Sequence, residues 1–305
     1  MANRRLEAHT TADRGAATVS LRTEVCMDRL RLVDVGARGG IDARWKPFYS
    51  SLDVIAFEPD VDECVRLNNS SWPYSVEWIP AALGAVDGQA AMLRICTQPG
   101  CSSLLIPNDA LCRDFAYGSN MKVVKELPLT LSRMDTVVSK QPHVIKIDTQ
   151  GTELEVLKGA GALLDETIAV ELEVEFVPQY LDQALFSDVD AFMRGRGFWL
   201  RGLRRSYWRN QAQFTHAYGG QLMHGDVLYI RPNRMASSQG RVILAAYRQY
   251  DLLAKIGAHE FIPPEPTLVR LLSKMLSGKP NRQLRRFVDR LRPANASDWH
   301  DPDFF

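Results

Sequence analysis

The sequence predicts an α/β fold on a mostly parallel sheet, and three observations carry that prediction. Residues Leu32–Gly40 read LVDVGARGG, an apolar run that ends in an acid and a glycine-rich turn. Twenty-four positions after Asp34 a second apolar run ends in another acid, Glu58 in VIAFEPD. Beyond Leu32, apolar runs of strand length alternate with amphipathic segments, as strands joined by helical crossovers do. In such sheets ligands bind outside the carboxyl ends of the strands, with a tight turn beside one ligand group and a carboxylate for ribose hydroxyls.

Residues 1–24 are polar and rich in Ala and Arg, and read as a loose leader or short helix. Strands are expected near 31–35, 53–57, 75–80, 144–148, 168–175, 197–203 and 226–231, with helices near 42–50, 60–70, 153–159 and 187–195. The stretch 84–131 is too long for one crossover. Its Asp87-Gly88 turn, flanked by Ala81–Ala85 and Ala90–Thr97, predicts an inserted hairpin, and 126–131 a further short strand. Around 236 the pattern turns to helical spacing over 241–256 and 266–277, followed by a basic amphipathic run at 282–292. The expected division is a leader (1–24), a main domain (25–235) and a helical C-terminal extension (236–305).

The 305 residues are 46% hydrophobic and 24% charged with a formal net charge of +1, which fits a soluble globular protein and gives no support for nucleic-acid binding. No apolar stretch has the length of a membrane span, and the N-terminus shows no cleavable apolar leader. The five cysteines, Cys26, Cys64, Cys96, Cys101 and Cys112, are odd in number and form no CxxC pair. Reduced thiols of a cytoplasmic protein and no cysteine metal site are expected.

The first turn narrows the ligand. A dinucleotide fingerprint needs G-x-G-x-x-G, and counting from Gly36 this chain has Arg38 and Ile41 where the later glycines should stand. The phosphate loop G-x-x-x-x-G-K-[ST] is absent as well. A ribose-bearing ligand without a diphosphate is expected, and S-adenosylmethionine fits: adenosine on Glu58, amino-acid end over Val35–Gly40. The plainer alternative is an ordinary strand–helix turn, which Glu58 at that distance disfavours.

Val144–Gly161 read VIKIDTQGTELEVLKGAG, a strand ending at Asp148 and then a helix start. Thr152 and Glu155 have capping-box spacing, so Glu155 is assigned to capping and Glu153 to the helix dipole, while Lys158 and Gly159 suit the helix end. Asp148 is left at the carboxyl edge as the functional candidate. DVGARGG, AFEPD, SSLLIPN (102–108), IKIDTQGTELEVLKGA and VPQYLDQALFSDVDAFMRGRGF (177–198) together resemble the FkbM-family methyltransferases over roughly residues 30–231. That resemblance implies a Rossmann-like class I methyltransferase fold, mostly parallel and seven-stranded with an antiparallel last strand. It also implies S-adenosylmethionine as cofactor and O-methylation of hydroxyls, often on sugars or polyketide-type products. Against the family's D-V-G-A-N-x-G, Asp34, Gly36, Ala37 and Gly40 agree and Arg38 replaces Asn; Gln150 stands where an acid is frequent. The cofactor set implied is Asp34, Gly36, Ala37, Arg38, Gly40, Glu58, Pro59 and Asp148.

In IAVELEVEF (168–176) period two puts Glu171, Glu173 and Glu175 on one face. Ionised carboxylates are not buried unpaired, so either the strand end enters the cleft or basic groups pair with the acids. Pairing is favoured for Glu171, and Glu173 is expected to approach Asp148. From Ala191 to Gly225 there is no acid, while Arg194, Arg196, Arg201, Arg204, Arg205 and Arg209 alternate with Tyr207, Trp208, His216 and Tyr218. A basic aromatic loop over the cofactor edge suits a glycosyl or anionic acceptor; a solvated charged loop is the bland alternative. His143 and His224 read as structural. The expected reaction is in-line attack of a small-molecule or glycan hydroxyl on the sulfonium methyl, with Asp148 or His216 as base, Glu173 nearby and no metal. The rivals are a nucleotide-dependent oxidoreductase, which the missing glycines disfavour, and a catalytically silent binding module.

Overall fold

In the computed structural model, which describes residues 29–210 and 220–263, the chain begins with three parallel strands: β1 (Leu30–Val35), β2 (Leu52–Phe57) and β3 (Ser75–Ile79). A 3-10 segment, Ala43–Ser51, joins the first two, and α1 (Val61–Asn68) the second pair. Pro47 inside Ala43–Ser51 supplies no amide, which accounts for a 3-10 segment where a regular helix is expected over 42–50. Next come β4 (Ala82–Leu83), β5 (Ala90–Cys96), α2 (Asp109–Cys112), β6 (Val123–Ser132) and α3 (Met134–Val137). The main sheet resumes with β7 (Val144–Ile147), α4 (Glu153–Ala160), α5 (Leu163–Glu166) and β8 (Ala169–Glu175). It closes with α6 (Phe186–Gly195), β9 (Trp199–Trp208) and β10 (Gln221–Ile230), followed by α7 (Ser238–Ala246) and α8 (Tyr250–Lys255).

The seven main strands lie in the order β3-β2-β1-β7-β8-β10-β9, with β10 antiparallel to both neighbours and the rest parallel. This is the doubly wound sheet with an antiparallel last strand that the sequence predicts. One face packs Val33, Val35, Ile145 and Leu172 against Val156, Leu157, Val189 and Met193 of α4 and α6. On the other, Val242, Ile243 and Leu244 of α7 and Leu253 of α8 cover Leu30, Leu32, Val144 and Leu228. The boundary drawn at 235 therefore cuts through a packed layer: 238–255 complete the core. The leader 1–24 and the stretches 266–277 and 282–292 lie outside the described residues.

The Asp87-Gly88 turn does not close a hairpin. β6 lies between β4 and β5, parallel to the first and antiparallel to the second. The turn docks onto β6 instead: Asp87 accepts from the Arg133 amide (2.6 Å) and the Thr136 hydroxyl (2.7 Å), and the Gly88 amide donates to the Leu131 carbonyl (2.9 Å). With its donors and acceptors committed to that later strand, 81–85 and 90–97 cannot pair with each other.

β9 and β10 are longer than expected, because their outward residues are basic or polar and blur the apolar pattern. Arg204 stands opposite Asp226 across the pair, with its Nε 2.8 Å from Oδ2. Over the carboxyl edge, Cys96, Cys101, Cys112, Met121, Tyr180, Trp208 and Met223 form a small second core. Cys64, Cys96, Cys101 and Cys112 are free and buried. No helix among the described residues is long and apolar enough to cross a membrane.

Candidate active site

The turn after β1 is shaped by backbone. Gly36 has φ +81°, and a Cβ there would stand 2.0 Å from the Asp148 carbonyl oxygen, so only glycine fits between the ends of β1 and β7. The Gly36 and Ala37 amides both donate to the Phe57 carbonyl (3.0 Å) and the Gly40 amide to Ala37 (3.0 Å). Those amides therefore tie β1 to β2 and are not available to a ligand. Of the residues expected to hold cofactor, Gly36, Arg38, Glu58, Pro59 and Asp148 line one cavity of about 230 Å³ along the carboxyl edge. Ala37 is buried in the core, and Gly40 packs under Trp72. Asp34 also lies outside the cavity, buried, with Lys146 Nζ 3.4 Å from its carboxylate. Burial raises the Asp34 pKa while Lys146 opposes the shift.

Glu58 is 4% exposed; its Oε1 accepts from the Asp60 amide (2.9 Å), and Oε2 bonds no described residue. Arg38 Nη1 lies 3.5 Å from Asp60 and 3.9 Å from Glu58. Burial raises the Glu58 pKa, and Arg38 counters it. Phe57, Leu83, Leu93, Ile95 and Leu104 supply apolar wall. A buried carboxylate with an unused oxygen, set in an apolar cleft with a second acid at its far end, fits a nucleoside bearing a charged amino-acid chain.

The turn after β7 is shaped by side chains. Gln150 adopts φ +58°, unusual for a residue with a side chain. Its Nε2 donates both to Asp148 Oδ1 (2.9 Å) and to Glu173 Oε1 (2.8 Å). Its Oε1 accepts from the Tyr180 hydroxyl (3.1 Å), and its carbonyl from the Ser103 hydroxyl (2.7 Å). Glu153 anchors the loop from below, accepting from the Thr149 amide (2.8 Å), the Thr149 hydroxyl (3.0 Å) and the Gly151 amide (3.0 Å). The capping-box assignment is thereby corrected: Thr152 caps no amide with its side chain, and Glu155 pairs with Lys158 at 2.6 Å. Glu153, the buried acid of this helix start, takes the loop amides of Thr149 and Gly151, and the exposed Glu155 does not.

The three acids of β8 meet three fates. Glu171 accepts from Arg44 (3.0 Å) and from the Tyr247 hydroxyl (2.6 Å), the pairing the sequence favours. Glu173 receives Gln150 and stands 3.4 Å from His224 Nδ1. Both Glu175 oxygens are buried without a partner among the described residues, and burial plus the neighbouring Glu153, Glu173 and Asp148 raise its pKa well above the ordinary carboxylate range. His224, read from sequence as structural, stands opposite Glu175 in the antiparallel β8–β10 register, with its Nδ1 beside Glu173.

Among the arginines expected to face an acceptor, Arg194 pairs with Asp190, Arg196 with Asp165, Arg201 with Asp251 and Arg204 with Asp226. Each of these four guanidinium groups thus has an acid partner within the chain. Trp208 is buried against Phe115 and Tyr117. His216 and Tyr218 lie outside the described residues. Among the described residues no cluster of three His, Cys, Asp or Glu side chains is arranged to hold a metal.

The sequence profile of the methyltransferase FkbM domain matches residues 34–200. No curated protein matches the chain. Among solved structures, the methyltransferase FkbM from Methylobacillus flagellatus KT is 15% identical with a TM-score of 0.36, over 67% of this chain and 44% of its own. This chain thus spans less than half of that protein's length. Magnesium protoporphyrin IX methyltransferase from Synechocystis PCC 6803, solved with S-adenosylmethionine bound, is 8% identical with a TM-score of 0.33, covering 67% and 70% of the two chains. Precorrin-6y C5,15-methyltransferase from Geobacter metallireducens GS-15 is 10% identical with a TM-score of 0.33, covering 69% and 84%. The domain match spans more than half of the 305 residues and includes both ligand turns, Glu58 and β8. The chain belongs to the FkbM methyltransferase family.

Proposed function

We propose that the protein methylates a hydroxyl oxygen of a sugar, glycan or secondary metabolite. Bound S-adenosylmethionine supplies a methyl group on a positively charged sulfur, an electrophile that needs no further activation. Glu58 would take the ribose hydroxyls on its unused Oε2, with Leu83, Leu93 and Leu104 as apolar wall for the base. Asp148, at the far end of the same cavity beside Gly36, would hold the ammonium group of the amino-acid end. The observation that supports a hydroxyl acceptor is what continues from Asp148 toward β10: an amide, a carboxylate and an imidazole joined by hydrogen bonds or close polar contact. A hydroxyl must lose a proton as it is methylated, and those are groups that accept and stabilise one.

The test is direct. Small-molecule and glycan extracts from cells lacking the protein are incubated with it and S-adenosylmethionine carrying a trideuterated methyl group. Mass spectrometry is expected to find one labelled methyl per product, on oxygen. Label found only on nitrogen or carbon would refute the reading.

A further inference from the structure

β10 runs against β8, so its first residues stand at the carboxyl edge from which both ligand turns leave. His224 is there. Its Nδ1 lies 3.4 Å from Glu173 Oε1, which also accepts from Gln150 Nε2. That Nε2 makes its second bond to Asp148, on the cavity wall. An imidazole is therefore coupled, through one carboxylate and one amide, to the cavity wall at Asp148 and Gln150. The His224 side chain is 26% exposed, and its Nε2 bonds no described residue. One side of the ring is walled by Trp208, with centroids 6.5 Å apart.

We propose that His224 accepts the acceptor's proton during methyl transfer, with Glu173 holding Nδ1–H and Gln150 fixing Glu173. This rests on the hydroxyl reading above. The acceptor oxygen forms its bond to the methyl carbon as the carbon–sulfur bond gives its electron pair to sulfur, and the hydroxyl proton moves to Nε2. The positive charge lost at sulfur reappears on the ring beside Glu173. Neither carboxylate suits the task as well. Asp148 faces the cofactor end and has Lys146 3.8 Å away, while Glu173 already receives Gln150 and the ring. Gln150 is a positioning residue here: one amide nitrogen satisfies two carboxylates that would otherwise repel, which an acid at that position cannot do.

The charged and titratable groups facing the ring are Glu173 and Glu175 from β8, Asp148 after β7, and Asp226 of its own strand, itself paired with Arg204 of β9. Burial alone favours the neutral imidazole, but the Glu173 contact and the other acids outweigh it and raise the ring's pKa above its ordinary value. The base form therefore fills only above that value. Turnover should rise with pH along a limb displaced to the alkaline side of an ordinary histidine.

The full chain is assayed with the extract fraction that the wild-type protein labels. His224→Asn is expected to lower kcat by roughly 10²–10⁴-fold, with S-adenosylmethionine affinity by calorimetry within about twofold, the Kd margin allowed for a group that contacts no cofactor. Glu173→Gln should keep part of the activity and move the acidic limb to lower pH. Oxygen methylation that survives His224→Asn, or a limb that Glu173→Gln leaves in place, overturns the assignment while the hydroxyl reading stands; transfer to an atom without a proton overturns both. NMR titration of the His224 ring with S-adenosylhomocysteine present needs no acceptor. It should show an elevated pKa that falls in Glu173→Gln, and a ring that does not titrate, or does not respond to that change, also overturns the proposal.

Discussion

The two turns that leave the carboxyl edge side by side are built from opposite materials. After β1 the chain has three glycines with positive φ, Gly36, Gly39 and Gly40, and its own amides tie it to β2. After β7 the left-handed position is taken by Gln150, and the loop is held by the side chains of Glu153, Gln150, Ser103 and Tyr180. The first turn offers shape: it is narrow enough for a ligand to lie against Gly36. The second offers charge and hydrogen bonds, with Asp148 and Glu173 presented as a pair. The two turns leave separate strand ends, β1 and β7, and meet where Gly36 lies against the Asp148 carbonyl.

Breaking the first turn should have the largest effect. Gly36→Ala puts a methyl group 2.0 Å from the Asp148 carbonyl oxygen at an unfavourable φ. The loss should exceed about 4 kcal/mol, read as loss of a cooperative melting transition by circular dichroism. A transition shifted by only a few degrees would show that the two strand ends can part. Breaking the second turn should come next. Glu153→Ala strands the Thr149 and Gly151 amides, at a cost of about 2–4 kcal/mol.

Glu153 also sets a pH signature. Burial pushes its carboxyl up to about 7 against its backbone hydrogen bonds, with Glu173 adding to the rise. The folded value lies above the unfolded one, near 4.5. The proton is therefore bound more tightly in the native state, and stability is greatest below the unfolded value and falls as pH rises from there to about 7. Denaturant unfolding from pH 5 to pH 8 should show that decline in the wild type and a shallower one in Glu153→Gln; equal slopes would remove Glu153 as its source.

The same contrast explains what could be read from sequence. Gly36 and Glu58 are legible because backbone geometry leaves a local signature: a glycine turn after one apolar run, an acid after the next. The second turn resisted because its partners are distant in sequence. Gln150 reaches Glu173 and Tyr180, and His224 meets Glu173 only through the β8–β10 register. Local spacing misled where burial decided: Glu155 has the capping interval, but Glu153 is the acid buried beneath the loop. Asp34 matches the family motif, yet its side chain points to Lys146 across β1 and β7. Arg201 and Arg204 looked available because Asp251 and Asp226 lie tens of residues away.

Gln150→Glu sharpens the comparison without removing a side chain. A third carboxylate against Asp148 and Glu173 cannot donate to either. Turnover should fall about 10–100-fold at pH 8 and less at lower pH, where a shared proton relieves the repulsion. A loss independent of pH would point to altered loop shape instead of charge.

Arg38→Asn should have the smallest effect, and its pH dependence matters more than its size. Arg38 is one-third exposed and near Glu58, so two influences on S-adenosylmethionine compete. Its charge repels a cationic cofactor, but solvent screens that repulsion. It also helps keep the buried Glu58 carboxylate ionised against the pull of burial. The second influence should weigh more at low pH, and the variant should bind about threefold more weakly at pH 5. At pH 8 the pull of burial on Glu58 should matter less and the affinities should converge. Calorimetric titrations at the two pH values separate these cases. Equal weakening at both would mean that Arg38 touches the cofactor itself, giving the backbone-built turn a side-chain contact of its own.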